Sequence, residues 1–258
     1  MLICNISLQY VVKPLLQWLS RRIILEFNIK MWYNFQARGY VVKNYAVILA
    51  SGSGKRFGSD LPKQFAQING KTLIELSVEA FEQCLFIDSI ILVVNSQYKQ
   101  KILDIINNNN YKKILKIVEG GKERKDSSYN GVFAIEDDEA NVLIHDCARP
   151  FVTQDIIERC VKALDSHNAV TTAIKSSDTV VVVKNDLLVE IPDRSTLRRV
   201  QTPQGFKLSL IKKAHLLSAN DSNFTDDCGL ILKNSLSDVF VVEGSESNIK
   251  VTYPEDIK

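Results

Sequence analysis

The sequence has no apolar run long enough to cross a membrane. A spanning helix needs roughly 18–20 continuous apolar residues, and the best candidate, residues 15–27, is broken by Gln17, Arg21, Arg22 and Glu26. Strong charge of one sign is also lacking. The formal net charge is +2 over 258 residues, which gives no ground for expecting a nucleic-acid partner. Cysteine is sparse and unpatterned. Cys4, Cys84, Cys147, Cys160 and Cys228 are an odd number with no paired spacing, which excludes a disulfide framework or a zinc site from the reading. Reduced thiols in a cytosol-like compartment are expected instead. The chain also lacks internal repeats and low-complexity linkers.

Acidic residues are nearly missing from residues 1–44, where Glu26 stands against six cations, Lys13, Arg21, Arg22, Lys30, Arg38 and Lys43. The remaining chain is mildly acidic by difference. Three readings of 1–44 stay open: a leader or misassigned start (Met31 offers a second one), an amphipathic appendage, and an organellar targeting peptide. A cytoplasmic location is expected unless the last of these holds. The domain proper is expected over 45–258, a length that suits one α/β domain with a real core.

From Tyr45 onward the pattern alternates. Apolar runs of strand length occur at 45–50, 89–94, 114–118, 142–145, 169–174 and 239–242, and helical patterns occur at 72–83, 98–106, 127–135 and 153–165. Continuous apolar strands separated by amphipathic helices predict an α/β fold with a mostly parallel sheet covered on both faces. The stretch 179–194 breaks this rhythm. Two β-rich runs there flank Lys184-Asn185-Asp186, the pattern of a β-hairpin arm.

The first strand runs into Leu49-Ala-Ser-Gly-Ser-Gly-Lys-Arg-Phe-Gly58, followed by Pro62-Lys-Gln-Phe65. In open α/β sheets ligands bind at the carboxyl ends of strands. Glycines there let backbone N–H groups approach an anion, and Lys55, Arg56 and Lys63 add full positive charge. The loop is not a Walker loop, for it lacks the terminal Gly-Lys-Ser/Thr. It also misses Gly-x-Gly-x-x-Gly, because Gly58 falls one position late.

These residues resemble the nucleotide loop of the 2-C-methyl-D-erythritol 4-phosphate cytidylyltransferases and their pentitol-phosphate relatives. Further motifs follow in the family's order: Gly120-Gly-Lys-Glu-Arg-Lys-Asp-Ser127, His145-Asp-Cys-Ala-Arg-Pro150, Ser177-Asp-Thr179, Asp193-Arg194, Gln201-Thr-Pro-Gln204, Thr225-Asp-Asp227 and Asn248-Ile-Lys250. The resemblance covers nearly everything after residue 44. It implies a Rossmann-like three-layer nucleotidyltransferase fold, a dimerisation arm around 178–200, CTP as substrate, Mg²⁺ as divalent cation, a sugar-alcohol phosphate as acceptor, and a homodimer. No membrane association is expected.

The resemblance also assigns roles. Arg56 and Lys63 would stabilise the transition state at the α-phosphate, and the backbone of Ala50, Ser51, Gly52 and Gly54 would cradle the phosphates. Gly120, Gly121 and Ser127 would receive cytosine and ribose, with a helix N-cap as the structural alternative for Ser127. Arg124 suits a ligand contact or a structural ion pair. Asp146 would stand near Mg²⁺ or a ribose hydroxyl. Cys147 packs in place of the family's usual alanine, with nearby backbone N–H serving the nucleotide. Arg149 either holds Asp146 or binds substrate phosphate, the second being favoured. Arg194, from the partner subunit, and Lys250 would bind the acceptor phosphate, helped by Thr179, Thr202 and Thr225. His145 reads as scaffold.

Leu197-Arg-Arg-Val200 and Ala148 lean toward methylerythritol phosphate as acceptor, whereas Asp226-Asp-Cys-Gly-Leu-Ile-Leu-Lys233 and Gly244-Ser-Glu-Ser-Asn-Ile-Lys250 also resemble ribitol-phosphate enzymes. Family members usually continue past 254–256 into a closing helix, so the short stretch after Asp256 is expected to bear on stability more than on chemistry. Ser51 replaces a common alanine in a loop that works through its backbone.

Overall fold

Seven strands form the central sheet of the computed structural model, which describes residues 42–52, 57, 62–221 and 224–257, all but the first of them within a compact unit, Lys43–Lys258. In chain order the strands of the described residues are β1 (Asn44–Ala50), β2 (Gln67–Ile68), β3 (Lys71–Thr72), β4 (Ser89–Val94), β5 (Ile114–Glu119), β6 (Asn141–Asp146), β7 (Ala169–Lys175), β8 (Val182–Lys184), β9 (Leu187–Glu190), β10 (Arg198–Lys207) and β11 (Phe240–Glu243). The α-helices of the described residues are α1 (Leu73–Glu82), α2 (Lys99–Asn109), α3 (Arg124–Phe133), α4 (Gln154–Ala163), α5 (Leu208–Leu217) and α6 (Cys228–Lys233). The main sheet runs β5-β4-β1-β6-β10-β7-β11. Only β10 is antiparallel to its neighbours.

The period of two along β1 divides the core. Ala46, Ile48 and Ala50 point to one layer, with Phe81 of α1, Ile102 of α2 and Ile157 of α4. Tyr45 and Val47 point to the other, with Val132 of α3, Ile211 of α5 and Leu230 of α6. The result is the three-layer arrangement that the alternating sequence pattern implies.

Local sequence sets the helix starts. Thr72 caps α1 by accepting from the Glu75 N–H at 3.3 Å, while Glu75 Oε2 accepts from the Thr72 N–H at 2.8 Å. This reciprocal capping box satisfies two end donors at once. Thr153 caps α4 in the simpler way, accepting from Ile156 N–H at 3.4 Å. Asn110, at φ 54°, ends α2 in the left-handed conformation that asparagine tolerates.

The predicted hairpin is present. Asn185 and Asp186 have φ 49° and 61° between β8 and β9, the two-residue turn whose twist suits a hairpin. Its strands form a two-stranded sheet separate from the main one. Strand β10 and helices α5 and α6 are additions to the sequence reading. Among the described residues no helix is long and apolar enough to cross a membrane.

Candidate active site

The chain reverses its direction of travel across the sheet between β1 and β6, which are parallel neighbours. A crevice opens at the carboxyl ends of strands at such a switch point. Here it is a cleft of about 520 Å³, edged by Ala50, Ser51 and Gly52 after β1, by Gly121 to Ser127 around the start of α3, by Asp146 and Cys147 after β6, and by Lys63 and Lys250.

Asp146 is the electrostatic centre of this cleft. Arg124 Nε donates to its Oδ1 at 2.9 Å, and Lys250 Nζ donates to its Oδ2 at 2.7 Å. Burial alone acts to raise the pKa of Asp146, but the Arg124 and Lys250 charges outweigh it and hold the carboxyl well below the usual range. Arg124 reaches further back, donating through Nη1 to Asp227 Oδ2 at 2.8 Å. Asp227 is buried at the head of α6 and also accepts from Ser128 Oγ. Its backbone N–H donates to Gln204 Oε1 at 3.0 Å. Arg124 is therefore a clamp between two carboxylates, which fulfils the ion-pair alternative for that residue.

The glycines after β5 have a packing reason. A Cβ at Gly120 would lie 2.3 Å from Ser51 Cβ, and one at Gly121 would lie 2.1 Å from Asp126 Cβ. Both distances are impossible for real side chains, so glycine at 120 lets the loop after β5 close onto Ser51 of the loop after β1, and glycine at 121 lets it pack against Asp126 of α3. Ser127 Oγ joins them. It accepts from Gly121 N–H at 3.1 Å, donates to Glu123 O at 3.1 Å, and lies 2.9 Å from Ser51 Oγ. Since its own hydrogen goes to Glu123 O, the Ser51 hydroxyl is the donor. Ser127 is not the helix cap: Glu123 holds that position, with its N–H donating to Asp126 Oδ2 at 3.1 Å.

On the opposite wall Lys63 Nζ donates to Val251 O at 3.1 Å, and Val251 N–H donates to Ala148 O at 2.8 Å. These bonds fasten the segment carrying Lys250 beside the Asp146 turn. Cys147 is buried, and burial pushes its thiol up to about 12, consistent with packing and inconsistent with a nucleophile. Its N–H donates to Leu49 O at 3.1 Å and so extends the β1–β6 ladder. Any amide offered to a ligand there comes from a neighbour.

Below the cleft lies a scaffold. Asp146 N–H donates to Thr202 Oγ1 at 3.1 Å, which leaves the Thr202 hydroxyl hydrogen to serve His145 Nδ1 at 3.1 Å. His145 Nε2–H then donates to Arg149 O at 3.1 Å. Burial lowers His145 to about 4, so it is neutral and both ring nitrogens are engaged.

The structure thus gathers Ala50, Ser51, Gly52, Lys63, Gly121, Ser127, Asp146, Cys147 and Lys250 around one cleft, with Gly120 in the adjoining depression. Gly54 and Arg56 lie outside the described residues. Arg149 departs from the favoured expectation: Nη1 donates to Asn248 O at 2.9 Å and Nη2 to Val200 O at 3.1 Å, so its guanidinium ties β10 to the segment after β11 that carries Asn248. Thr202 is likewise buried scaffold. Thr179, Thr225 and Arg194 are exposed and do not line this chain's cleft, and Arg194 Nη1 donates to Ser177 O at 3.1 Å. Sequence reasoning passed over Asp227, Ser128 and Gln204. The signal for the first was within the Thr225-Asp-Asp227 motif, read there for its threonine.

A three-layer, mostly parallel sheet whose switch point carries glycine-edged loops and converging cations defines an α/β nucleotidyltransferase. The family model IspD, 2-C-methyl-D-erythritol 4-phosphate cytidylyltransferase, matches residues 44–258. The chain belongs to this family. It is 41% identical over 217 residues to the 2-C-methyl-D-erythritol 4-phosphate cytidylyltransferase of Clostridium botulinum, covering 83% of this chain and 94% of that protein. It is 40% identical over 221 residues to the bifunctional ribulose 5-phosphate reductase/CDP-ribitol pyrophosphorylase Bcs1 of Haemophilus influenzae, of which it spans 47%. Among solved structures, 4-diphosphocytidyl-2C-methyl-D-erythritol synthase from Anaerococcus prevotii is similar at TM-score 0.76 and 32% identity, over 84% of this chain and 93% of that one.

Proposed function

We propose that the chain transfers CMP from CTP to 2-C-methyl-D-erythritol 4-phosphate, releasing pyrophosphate, in the non-mevalonate route to isoprenoid precursors. The observation that carries this reading is the convergence of Lys63, Arg124 and Lys250 with Asp146 at one switch-point cleft. A phosphate oxygen of the acceptor attacks the α-phosphorus of CTP, a new P–O bond forms, and the bond to the pyrophosphate oxygen breaks. The attacking oxygen is already ionised, so no general base is needed, and neutral His145 with both nitrogens engaged would not supply one. What the reaction needs is alignment of two anions and neutralisation of charge at the transferring group.

In this reading Lys63, with Arg56 from the same loop, stabilises the transition state. The backbone of Ala50 to Gly54 cradles the triphosphate, and the Gly120–Gly121–Ser127 edge receives the nucleoside. Lys250 binds the acceptor phosphate while held in place by Asp146. Among the described residues no cluster of three or more acidic, histidine or cysteine side chains could hold a metal alone. A Mg²⁺ ion would therefore be held mainly by CTP phosphate oxygens, with Asp146 as the protein carboxylate. The ion would neutralise phosphate charge.

The arm supports a homodimer. An isolated two-stranded hairpin is marginal in water, yet Val183, Leu187, Leu188, Val189 and Ile191 are exposed along it, apolar surface that a second copy would cover. Arg194, which does not line this chain's own cleft, would then complete the partner's site, together with Thr179. Cytoplasmic action fits this small-molecule chemistry.

Identity to the Haemophilus protein named as a CDP-ribitol pyrophosphorylase keeps a second reading, ribitol 5-phosphate as acceptor. Pyrophosphate release from CTP and Mg²⁺, measured side by side with the two sugar phosphates, decides between them. Faster release with methylerythritol phosphate is expected, faster release with ribitol phosphate installs the second reading, and no release with either removes both.

A further inference from the structure

Buried polar side-chain atoms find partners almost without exception. Among the described residues four do not: Gln64 Nε2, Arg124 Nη2, Arg149 Nε and Asn248 Oδ1. Two of these residues, Gln64 and Arg124, line the cleft. Arg124 is already clamped by two carboxylates, and Arg149 and Asn248 bond each other's surroundings below. Gln64 has no such employment. It is only 4% exposed, yet its amide nitrogen meets no acceptor.

The backbone that presents it is fixed. Phe65 N–H donates to Pro62 O at 3.0 Å and Ala66 N–H to Lys63 O at 2.9 Å, closing a tight turn. Phe65 is buried beside Tyr98, with ring centroids 5.5 Å apart. The carboxamide is therefore held at the cleft wall next to Lys63.

We infer that Gln64 is a substrate-contacting residue whose side-chain NH₂ donates to a phosphate oxygen bound beside Lys63. An amide NH₂ group offers only donors, so its partner must be an acceptor. The cations Lys63, Arg124 and Lys250 surround the same space, so that acceptor is an anionic oxygen. This inference rests on the proposed phosphoryl-transfer reading and deepens it. The phosphate belongs either to CTP or to the sugar-alcohol phosphate, and the test separates the two.

A buried donor without an acceptor costs stability in the free protein, and an apolar side chain of similar shape removes that cost. Gln64→Met is thus expected to keep or raise the melting temperature while kcat/KM falls about ten- to hundredfold, the range for a hydrogen bond to a charged group. A rise in KM for CTP alone assigns the contact to the nucleotide, and a rise for the sugar phosphate alone assigns it to the acceptor. Gln64→Glu, which turns an oxygen toward the phosphate, should lose more than Gln64→Met. Should the wild-type chain release no pyrophosphate with either acceptor, the phosphoryl-transfer reading fails by itself. Calorimetric binding of CTP and of methylerythritol phosphate to wild type and Gln64→Met then carries the test, with about tenfold weaker binding of one of them expected. The inference is overturned if Gln64→Met leaves kcat/KM and both affinities within twofold. It is equally overturned if the melting temperature falls by several degrees and activity drops only with the folded fraction.

Discussion

Replacing Asp227 by asparagine tests whether the cleft depends on the clamp behind it. The side chain is 1% exposed and its two oxygens serve different partners, Arg124 Nη1 at 2.8 Å and Ser128 Oγ. His215 Nε2 lies 3.2 Å from the same serine oxygen. Because the Ser128 hydrogen goes to Asp227, the histidine is the donor in that contact. Asparagine offers one oxygen where two are used, and its NH₂ then faces either Arg124, donor against donor, or Ser128, whose hydroxyl hydrogen loses its acceptor. Removing one partner of a buried ion pair costs about 3–5 kcal/mol. Arg124 retains Asp146, so the expected loss falls below that range, about 2–3 kcal/mol. For a folded unit of this size that corresponds to a melting temperature lower by about 5–10 °C.

Thermal unfolding of the ligand-free protein by circular dichroism reads this directly. A second measurement separates charge balance from packing. In the double variant Arg124→Met with Asp227→Leu the buried charges at that end are gone together, and apolar contacts replace them. It should therefore melt above the sum of the single losses, despite leaving Asp146 with Lys250 alone. A shift below about 2 °C for Asp227→Asn, or strictly additive losses in the double variant, would refute the clamp.

Three further outcomes follow from the geometry. Gly120→Ala forces a methyl group against Ser51 Cβ at 2.3 Å, so about 1–3 kcal/mol of stability and most CTP binding should be lost. Pairing it with Ser51→Gly removes the opposing carbon and should restore both, and calorimetry with CTP checks this. Stability should also fall on acidification from about pH 6.5 toward about 4. His145 is held neutral down to about 4 in the fold, so the unfolded chain takes up its proton first, at a slope of up to about 1.4 kcal/mol per pH unit. Denaturant titrations of His145→Gln should show a shallower slope in that window, with a remainder from His215, which burial also lowers. Finally, Leu187→Asp with Leu188→Asp on the exposed arm should give a monomer by light scattering with little turnover; an unchanged dimer would contradict the role given to the arm.

The sheet was legible where physics writes it locally. Runs such as Ser89–Val94 are apolar throughout because parallel strands are covered on both faces, and the six strands expected from such runs are all present. Strand β10 escaped because Arg-Arg-Val-Gln-Thr-Pro-Gln-Gly-Phe-Lys has no apolar rhythm. Its buried Gln201, Thr202 and Gln204 are instead satisfied by side-chain bonds to Ser245 O, His145 and Thr171. Such a strand is polar in sequence and interior in the fold, a combination that only long-range partners make affordable.

The same limit governs the site. The motifs at 49–65 and 120–127 were readable because they gather glycines and cations within a few residues, but the bonds that decide roles join positions far apart, 104 residues between Lys250 and Asp146 and 103 between Arg124 and Asp227. Arg149 illustrates the consequence. It is three residues from Asp146, yet the turn closed by Arg149 N–H donating to Asp146 O at 2.9 Å sends its guanidinium to Val200 and Asn248. Counting cations near a glycine loop therefore overstates those free to meet phosphate. What distinguishes them is the answering group: two backbone carbonyls hold Arg149 to the scaffold, whereas one carboxylate holds both Arg124 and Lys250 at the cleft. Asp227 answers Arg124 from behind, so two carboxylates balance these two cations, and the shared Asp146 serves to fix both in advance at the space where the anions must meet.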